Sequence, residues 1–378
     1  MRSLLVTVDF PPIVSGISTA FYNIWKNLPG NDHLVLAPRI RGSGAVDNAL
    51  GKKVYRLPMP LGDNLLKKAG RWLCLLSYCL SIVKRERIEL LVCGQPVTIG
   101  AIGLLFKKAF RIPYQVWVYG GEIVKFRNNR PVFSLLRRVI DEAQALIANS
   151  EFTKNVYAEL GIPSGKIFVV TPAVDTERFK PGISVEDLVV KYGLKDRKRI
   201  LTIARLSERK GHDMVIGALG RIKQAFPDIA YLIVGSGPDE KRLRKMVSDY
   251  HLEDNIIFTG AVAEEDLPRY YSLCDVYVMP NREVRGIDTL EGFGISFIEA
   301  SACAKPVIGG RSGGSVEAVA DGKTGYLVGH LDVDGFAMKV IELLSDKTRA
   351  RELGENGRKR VLTEFQWPQR AEALKGLL

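Results

Sequence analysis

Two successive series of short apolar runs, each run followed by a helix-like stretch, constrain this chain more than any other feature of its sequence. The first series is Leu4–Val8, Leu34–Ala37, Leu90–Cys93, Gln115–Tyr119, Ala145–Ala148 and Phe168–Thr171. The second is Ile200–Ala204, Tyr231–Val234, Ile256–Thr259, Val276–Met279, Val307–Ile308 and Gly325–Val328. Strands that alternate with helices form parallel sheets with crossover helices. Near-continuous apolar runs mark strands covered on both faces. The expected fold class is therefore α/β, with two doubly wound domains. The polar, proline-containing stretch Asp175–Gly182 separates the series. It implies a first domain over 1–178 and a second over 179–360, with a hinge near 173–198. A terminal helix over 361–378 is expected to pack back on the first domain. Ligands of open α/β sheets gather beyond the carboxyl ends of strands, so two such domains facing one another imply a central cleft.

Several function classes are excluded by what lies between the strands. The longest apolar stretch, Trp72–Val83, has 12 residues, short of the roughly 20 that span a bilayer as a helix. The opening MRSLLVTVDFPP reads as a first strand with no cleavage region, which implies a cytoplasmic chain. Five cysteines without a C-x-x-C spacing argue against a disulfide framework and a zinc site, and imply reduced thiols. Net charge is +12, and residues 1–178 hold most of it, with 24 Lys/Arg against 13 Asp/Glu. Residues 52–87 alone carry nine cations against Asp63 and Glu86, on either side of the Trp72–Val83 run. Two readings of this segment stand: a helix lying in an anionic membrane interface, or a core helix with a solvated basic flank. No nucleic-acid-binding motif accompanies the charge, so nucleic acid is not an expected partner.

The chemistry-bearing residues fall at strand ends. After the first run comes Asp9-Phe10-Pro11-Pro12 and then Ser15-Gly16, a turn whose glycine lets backbone N–H groups approach an anion at a helix start. The first run of the second half leads into Ala204-Arg205-Leu206-Ser207-Glu208-Arg209-Lys210-Gly211. There the guanidinium fork of Arg205 and the point charge of Lys210 suit a diphosphate. Gly235-Ser236-Gly237 brings backbone, with Ser236, within reach of a phosphate or sugar. Farther on, Glu291-Gly292-Phe293-Gly294-Ile295 leads to Glu299, placing one carboxylate in a glycine-rich loop and the second on the following helix. Neutral loop donors beside a helix start suit sugar hydroxyls, and Glu299, among apolar neighbours, needs a polar partner such as a ribose. The Asp332-Val333-Asp334 triplet follows the last strand in a polar stretch, and no metal site is expected.

In combination the chain resembles the retaining, GT-B-fold glycosyltransferases of family four. The carriers are DFPPIVSGIS (9–18), IANSEFTKNVY (147–157), TPAVDTERFKP (171–181), ARLSERKG (204–211), VGSGP (234–238), the pair Glu291/Glu299 and KPVIGGRSGGSVEAVADGKTGYLV (305–328). The resemblance implies that Arg205 and Lys210 bind the diphosphate of a nucleotide sugar. It further implies that Glu299 holds the ribose, that Glu291 contacts the transferred sugar, and that the Gly16 amide meets the phosphate from the other domain. It also implies front-face transfer with retention, a donor phosphate oxygen that takes the acceptor's proton, and no cofactor or divalent metal. One departure is Tyr119-Gly120-Gly121-Glu122, where the family often has His-Gly. Here Tyr119 offers a hydroxyl to a sugar but no imidazolium.

The long loop Asn281–Leu290 resembles that of mannosyltransferases acting on phosphatidylinositol and related lipids. Its charged residues Arg282, Glu283, Arg285 and Asp288 either line the cleft or face solvent. The expected function is hexosyl transfer, with GDP-mannose as donor and a lipid-linked or envelope-glycan acceptor, at an anionic membrane face. The alternatives are a UDP-sugar donor, a sugar-nucleotide 2-epimerase and a non-catalytic binding subunit.

Overall fold

Chain segments that bury both faces of a sheet are mostly apolar, and the apolar runs became strands for that reason. The computed structural model describes residues 1–58, 65–284 and 291–378. The chain divides into two compact units, residues 1–172 with 367–378, and residues 173–366.

The first unit contains, in order, β1 (Ser3–Val6), α1 (Gly16–Asn27), β2 (His33–Pro38), α2 (Ser43–Leu50), β3 (Val54–Leu57), α3 (Leu65–Glu86) and β4 (Leu90–Cys93). It continues with α4 (Thr98–Phe110), β5 (Tyr114–Val118), α5 (Gly121–Phe126), α6 (Arg130–Glu142), β6 (Ala145–Ala148), α7 (Glu151–Glu159) and β7 (Ile167–Val169). The seven strands are parallel and ordered β3-β2-β1-β4-β5-β6-β7. Leu4 of β1 lies opposite Leu34 on one side and Leu91 on the other, and all three are fully buried. Each such leucine contributes about 1.5–3 kcal/mol through burial. Strand order reverses at β1, between β2 and β4, which is where open α/β sheets place a ligand.

Strand β3 is absent from the sequence reading, because it is an edge strand with half-buried Val54, Tyr55 and Arg56. The Arg56 charge is taken by Asp47 at 2.6 Å, and the same guanidinium nitrogen also donates to the Pro11 carbonyl at 2.8 Å. Helix α3 buries Leu75, Cys79, Ile82 and Val83, a helical-period stripe, in the core. Its other face leaves Leu73 61% exposed. The apolar run expected at an interface therefore gives one face to the protein interior.

The second unit contains α8 (Glu186–Lys191), β8 (Arg199–Ile203), α9 (His212–Ala225), β9 (Ala230–Val234), α10 (Glu240–Asp249), β10 (Ile256–Gly260) and α11 (Leu267–Leu273). Then follow β11 (Val276–Met279), α12 (Ile295–Ala302), β12 (Val307–Gly310), α13 (Ser315–Ala318), β13 (Gly325–Val328), α14 (Val333–Ser345) and α15 (Lys347–Glu364). Its six parallel strands run β10-β9-β8-β11-β12-β13, with the order reversing at β8. The loops after β8 and β11 thus share the switch point. The last helix, α16 (Trp367–Lys375), belongs to the first unit, where it packs on α1 and buries Trp367, Ala371 and Leu374.

The first crossing between units lies at 172/173, against 178/179 in the sequence reading. Segment 173–179 is held inside the second unit: Val174 N–H donates to the Phe365 carbonyl at 3.1 Å, and Phe179 stacks edge-on against Tyr271. The expected single helix over 361–378 is instead the end of α15 and all of α16, separated at Phe365-Gln366.

Candidate functional site

Three loops at the carboxyl ends of β8, β9 and β11 are laced together by backbone contacts. Gly235 lies at φ +132, and a Cβ there would meet the Ala204 carbonyl oxygen at 2.1 Å, so only glycine permits this approach. Leu206 N–H donates to the Ser236 carbonyl at 3.0 Å. Gly211, at φ +76, closes the turn into α9 with Pro280 directly above it. Arg282 N–H donates to the Arg209 carbonyl at 2.9 Å. The Arg282 guanidinium grips Asp213 with two bonds of 2.8 and 2.7 Å, so this residue neither faces solvent nor awaits a ligand. Glu283 is exposed, whereas Arg285 and Asp288 lie outside the described residues.

Within this frame Lys210 and Glu291 meet. The Lys210 ammonium donates to Glu291 Oε2 at 2.5 Å, and Arg209 donates to the same oxygen at 2.7 Å. The side chains of Glu291, Lys210 and Arg209 are 11%, 12% and 21% exposed. Burial pushes the Glu291 carboxyl upward, but the two cations outweigh it and hold the group below the usual carboxylate range. Arg205 is exposed, and its guanidinium makes no hydrogen bond or ion pair among the described residues. One cation of the loop is therefore free, and two are neutralised by one carboxylate.

Gly294, at φ +90, is the N-cap of α12, leaving the amides of Ile295 and Ser296 at a helix start. Gly292 is half-buried, and its neighbour Glu291 accepts from Gly314 N–H at 2.8 Å. The Phe293 ring is buried against Phe365, 5.6 Å between centroids, so its main chain is the part left for a ligand. Glu299 accepts from the Tyr271 hydroxyl at 2.6 Å, and burial holds its carboxyl above the usual range. Ser236 is exposed at the tip of its turn. Beneath the β8 loop, His212 is buried with Nδ1 3.1 Å from the Tyr231 hydroxyl. Burial, with Lys210 nearby, pulls the His212 imidazole down to about 4, so it is neutral near pH 7.

In the first unit the strand ends form one hydrogen-bonded chain. The Ser15 hydroxyl caps α1 by accepting from Ser18 N–H and donates to Asp9, leaving Gly16 exposed as the first residue of the helix. Thr7 links to Asp9, and Gln95 accepts from Val8 N–H and donates to Thr7. The Tyr119 hydroxyl donates to the Gly94 carbonyl at 3.0 Å, and its amide donates to Glu122 at 2.8 Å. Glu122 also accepts from the buried Tyr157 hydroxyl at 2.5 Å, and burial raises the Glu122 carboxyl. Tyr119 thus already spends its proton inside the protein, and only lone-pair capacity remains for a sugar hydroxyl.

Among the described residues no three His, Cys, Asp or Glu cluster as metal ligands. Asp332 caps α14 through Gly335 N–H, and Asp334 pairs with Arg221 at 2.6 Å. Four cysteines are buried, Cys74 is half-buried, and all five are free thiols.

Residues 14–178 match the family described as Glycosyltransferase Family 4, and residues 185–360 match Glycosyl transferases group 1. A GDP-mannose-dependent alpha-(1-6)-phosphatidylinositol monomannoside mannosyltransferase of Mycolicibacterium smegmatis is 34% identical over 99% of this chain and 97% of its own. The chain belongs to the family 4, group 1 glycosyltransferases. A Mycobacterium tuberculosis relative of the same description is 32% identical over 100% of the chain and 98% of its own. The crystal structure of Anabaena HepE with UDP superposes with a TM-score of 0.82 at 18% identity, covering 100% of this glycosyltransferase and 99% of that chain. Sucrose-phosphate synthase of Thermosynechococcus elongatus gives 0.82 at 22% identity, covering 99% and 97%. The fold of this glycosyltransferase is accordingly GT-B, two Rossmann-like units.

Arg209 was absent from the residues singled out in the sequence, as were Glu122 and Tyr157. Their partners lie far along the chain: Glu291 is 82 residues from Arg209, and Tyr157 is 35 from Glu122. The signal available was a third cation within ARLSERKG, one step before Lys210.

Proposed function

We propose that this glycosyltransferase moves mannose from GDP-mannose to a phosphatidylinositol-mannoside type of lipid acceptor, with retention, at an anionic membrane surface. The observation that carries the reading is the set of Arg205, Lys210 and Glu291 at the switch point of the second sheet. Breaking the glycosyl–phosphate bond builds negative charge on the departing diphosphate. Fixed cations and helix-start amides stabilise that charge as it develops. Arg205 and Lys210 take this role, Glu291 accepts from hydroxyls of the hexose, and Glu299 with Tyr271 behind it holds the ribose. Gly16, the helix start at the end of β1, offers its amide to the phosphate. A donor phosphate oxygen takes the acceptor's proton, so the chain's own side chains supply the charge stabilisation.

Four relatives are described as GDP-mannose-dependent mannosyltransferases, three of them acting on phosphatidylinositol monomannosides, which supports both donor and acceptor. Among the described residues no helix is long and apolar enough to cross a membrane. Peripheral binding is supported by the α4–α6 side of the first unit. There Arg127, Arg130, Arg137 and Arg138, with Phe133, Asp141 and Glu142, line a groove of about 530 Å³ along α6. Leu105, Phe110 and Leu135 are exposed on the same two helices. Arg127 and Arg130 have no partner among the described residues and Arg138 is exposed with only the charge of Glu142 nearby, so these cations can meet anionic headgroups.

The test is a transfer assay with GDP-mannose and a panel of UDP-hexoses, with and without phosphatidylinositol mannosides. Release of GDP from GDP-mannose that depends on the lipid, with label appearing in the lipid, is the expected result. Release from a UDP-hexose overturns the donor, conversion of the donor without nucleotide release points to epimerisation, and inertness of every pair overturns the enzymatic reading for these substrates.

A further inference from the structure

Glu291 has a surplus of counter-ions. Lys210 and Arg209 both donate to its Oε2, from adjacent positions of a single turn, while Oε1 makes no hydrogen bond among the described residues. Two cations on one oxygen is more than a carboxylate needs to stay charged, and it leaves one of them free to go. The two are tethered differently. Arg209 is pinned at its main chain by Arg282 N–H at 2.9 Å, and Arg282 is itself clamped to Asp213. The Lys210 ammonium has Glu291 as its only hydrogen-bond partner among the described residues, on a flexible four-carbon stem.

We infer that Arg209 is the positioning residue that keeps Glu291 ionised and aimed at the transferred hexose once Lys210 has turned to the diphosphate. The inference rests on the donor reading above, and it assigns Arg209 a task distinct from that of Arg205 and Lys210. When the donor enters, two phosphate charges compete with Glu291 for the Lys210 ammonium. A carboxylate left 11% exposed without a counter-ion takes up a proton, and it then loses acceptor capacity toward sugar hydroxyls. Arg209 prevents this because its guanidinium bond to Glu291 does not depend on Lys210. Its effect is therefore confined to the sugar half of the donor, while nucleotide and diphosphate are held by other groups.

Isothermal titration of wild type, Arg209→Gln and Arg209→Lys with GDP and with GDP-mannose tests this, together with the pH profile of kcat/KM. In Arg209→Gln, GDP affinity is expected to stay within about twofold while GDP-mannose weakens roughly tenfold, the loss of about one charge-assisted hydrogen bond. The acid limb of kcat/KM moves to higher pH, because Glu291 protonates more readily. Arg209→Lys, which retains a cation at that turn, restores most of the GDP-mannose affinity. Equal weakening of GDP and GDP-mannose overturns the inference and makes Arg209 a diphosphate ligand. Unchanged binding of both with an unmoved acid limb overturns it as well, leaving a surface ion pair. Should wild type bind UDP-glucose in place of GDP-mannose, the donor assignment falls, and UDP against UDP-glucose then judges Arg209 on its own.

Discussion

Arg205 and Lys210 leave the same strand within six residues, yet one stands unpartnered and the other is neutralised at 2.5 Å by Glu291. Their replacements should differ accordingly. Arg205→Ala removes a cation with no contact to lose, so stability should stay within about 0.5 kcal/mol while kcat falls roughly a hundredfold or more. Lys210→Ala leaves Arg209 to neutralise Glu291, so the fold survives and kcat falls by a similar order. Turnover with saturating donor and urea unfolding measure both, and unchanged turnover in the two variants removes the diphosphate assignment. His212 supplies a pH signature. Its imidazole protonates at about 4 in the folded protein against about 6.5 in an unfolded chain. Unfolding therefore takes up a proton between those values, and stability falls as pH drops through this window. The loss at about pH 5, relative to neutral pH, should reach roughly 2 kcal/mol and be absent in His212→Gln. Urea midpoints at the two pH values report it.

At the scale of elements, the Arg282–Asp213 grip joins the loop after β11 to the start of α9, with Arg282 only 6% exposed. Arg282→Met leaves Asp213 only its longer contact with Arg242 at 3.3 Å, so the change should cost roughly 1–3 kcal/mol, and the double variant with Asp213→Leu should recover part of it. A double-mutant cycle by denaturant unfolding measures the coupling. The groove along α6 carries the other element-level prediction. Arg127, Arg130 and Arg138 replaced together by Gln should abolish retention on phosphatidylglycerol vesicles at low salt, while GDP affinity is retained, because each surface cation contributes about 1 kcal/mol to binding an anionic bilayer. Retention equal to wild type in flotation assays discards this face as the membrane contact.

Much of this was legible beforehand, for a physical reason: strands buried on both faces are written as apolar runs, and the loops that follow them are where α/β ligands bind. The twelve runs correspond to twelve of the thirteen strands, and Lys210 meets Glu291 as part of one cluster. What was hidden is what depends on partners distant in sequence. Strand β3 carries Arg56, whose charge looks incompatible with a strand until Asp47 is seen beside it. Phe293, between two glycines, gives no sign in the sequence that its ring lies against the distant Phe365. Tyr119 departs from the histidine often found there, and its hydroxyl turned out to be committed to Gly94.

For the whole molecule, the path of the chain matters more than any one contact. The first unit is interrupted at residue 172 and resumes at 367, so the second unit is an insertion whose ends are tied by the Val174 to Phe365 hydrogen bond. Ending the chain after Gln366 should therefore injure the unit it does not touch in sequence. The second unit keeps its sheet, while α1 loses the cover of Trp367, Ala371 and Leu374, a loss of several kcal/mol. Hydrogen exchange on the truncated chain should show faster opening of α1 with the β8–β13 sheet unchanged. Uniform protection in both units contradicts this.

The same threading imposes a timetable on synthesis. Domains generally mature in the order they leave the ribosome, but here the opening unit receives its covering helix only after every residue of the insertion has emerged. While residues 173–366 are being translated, α1 waits without the cover of α16. The unit that opens before the insertion is thus finished only after it, and for that interval one of its helices stands uncovered.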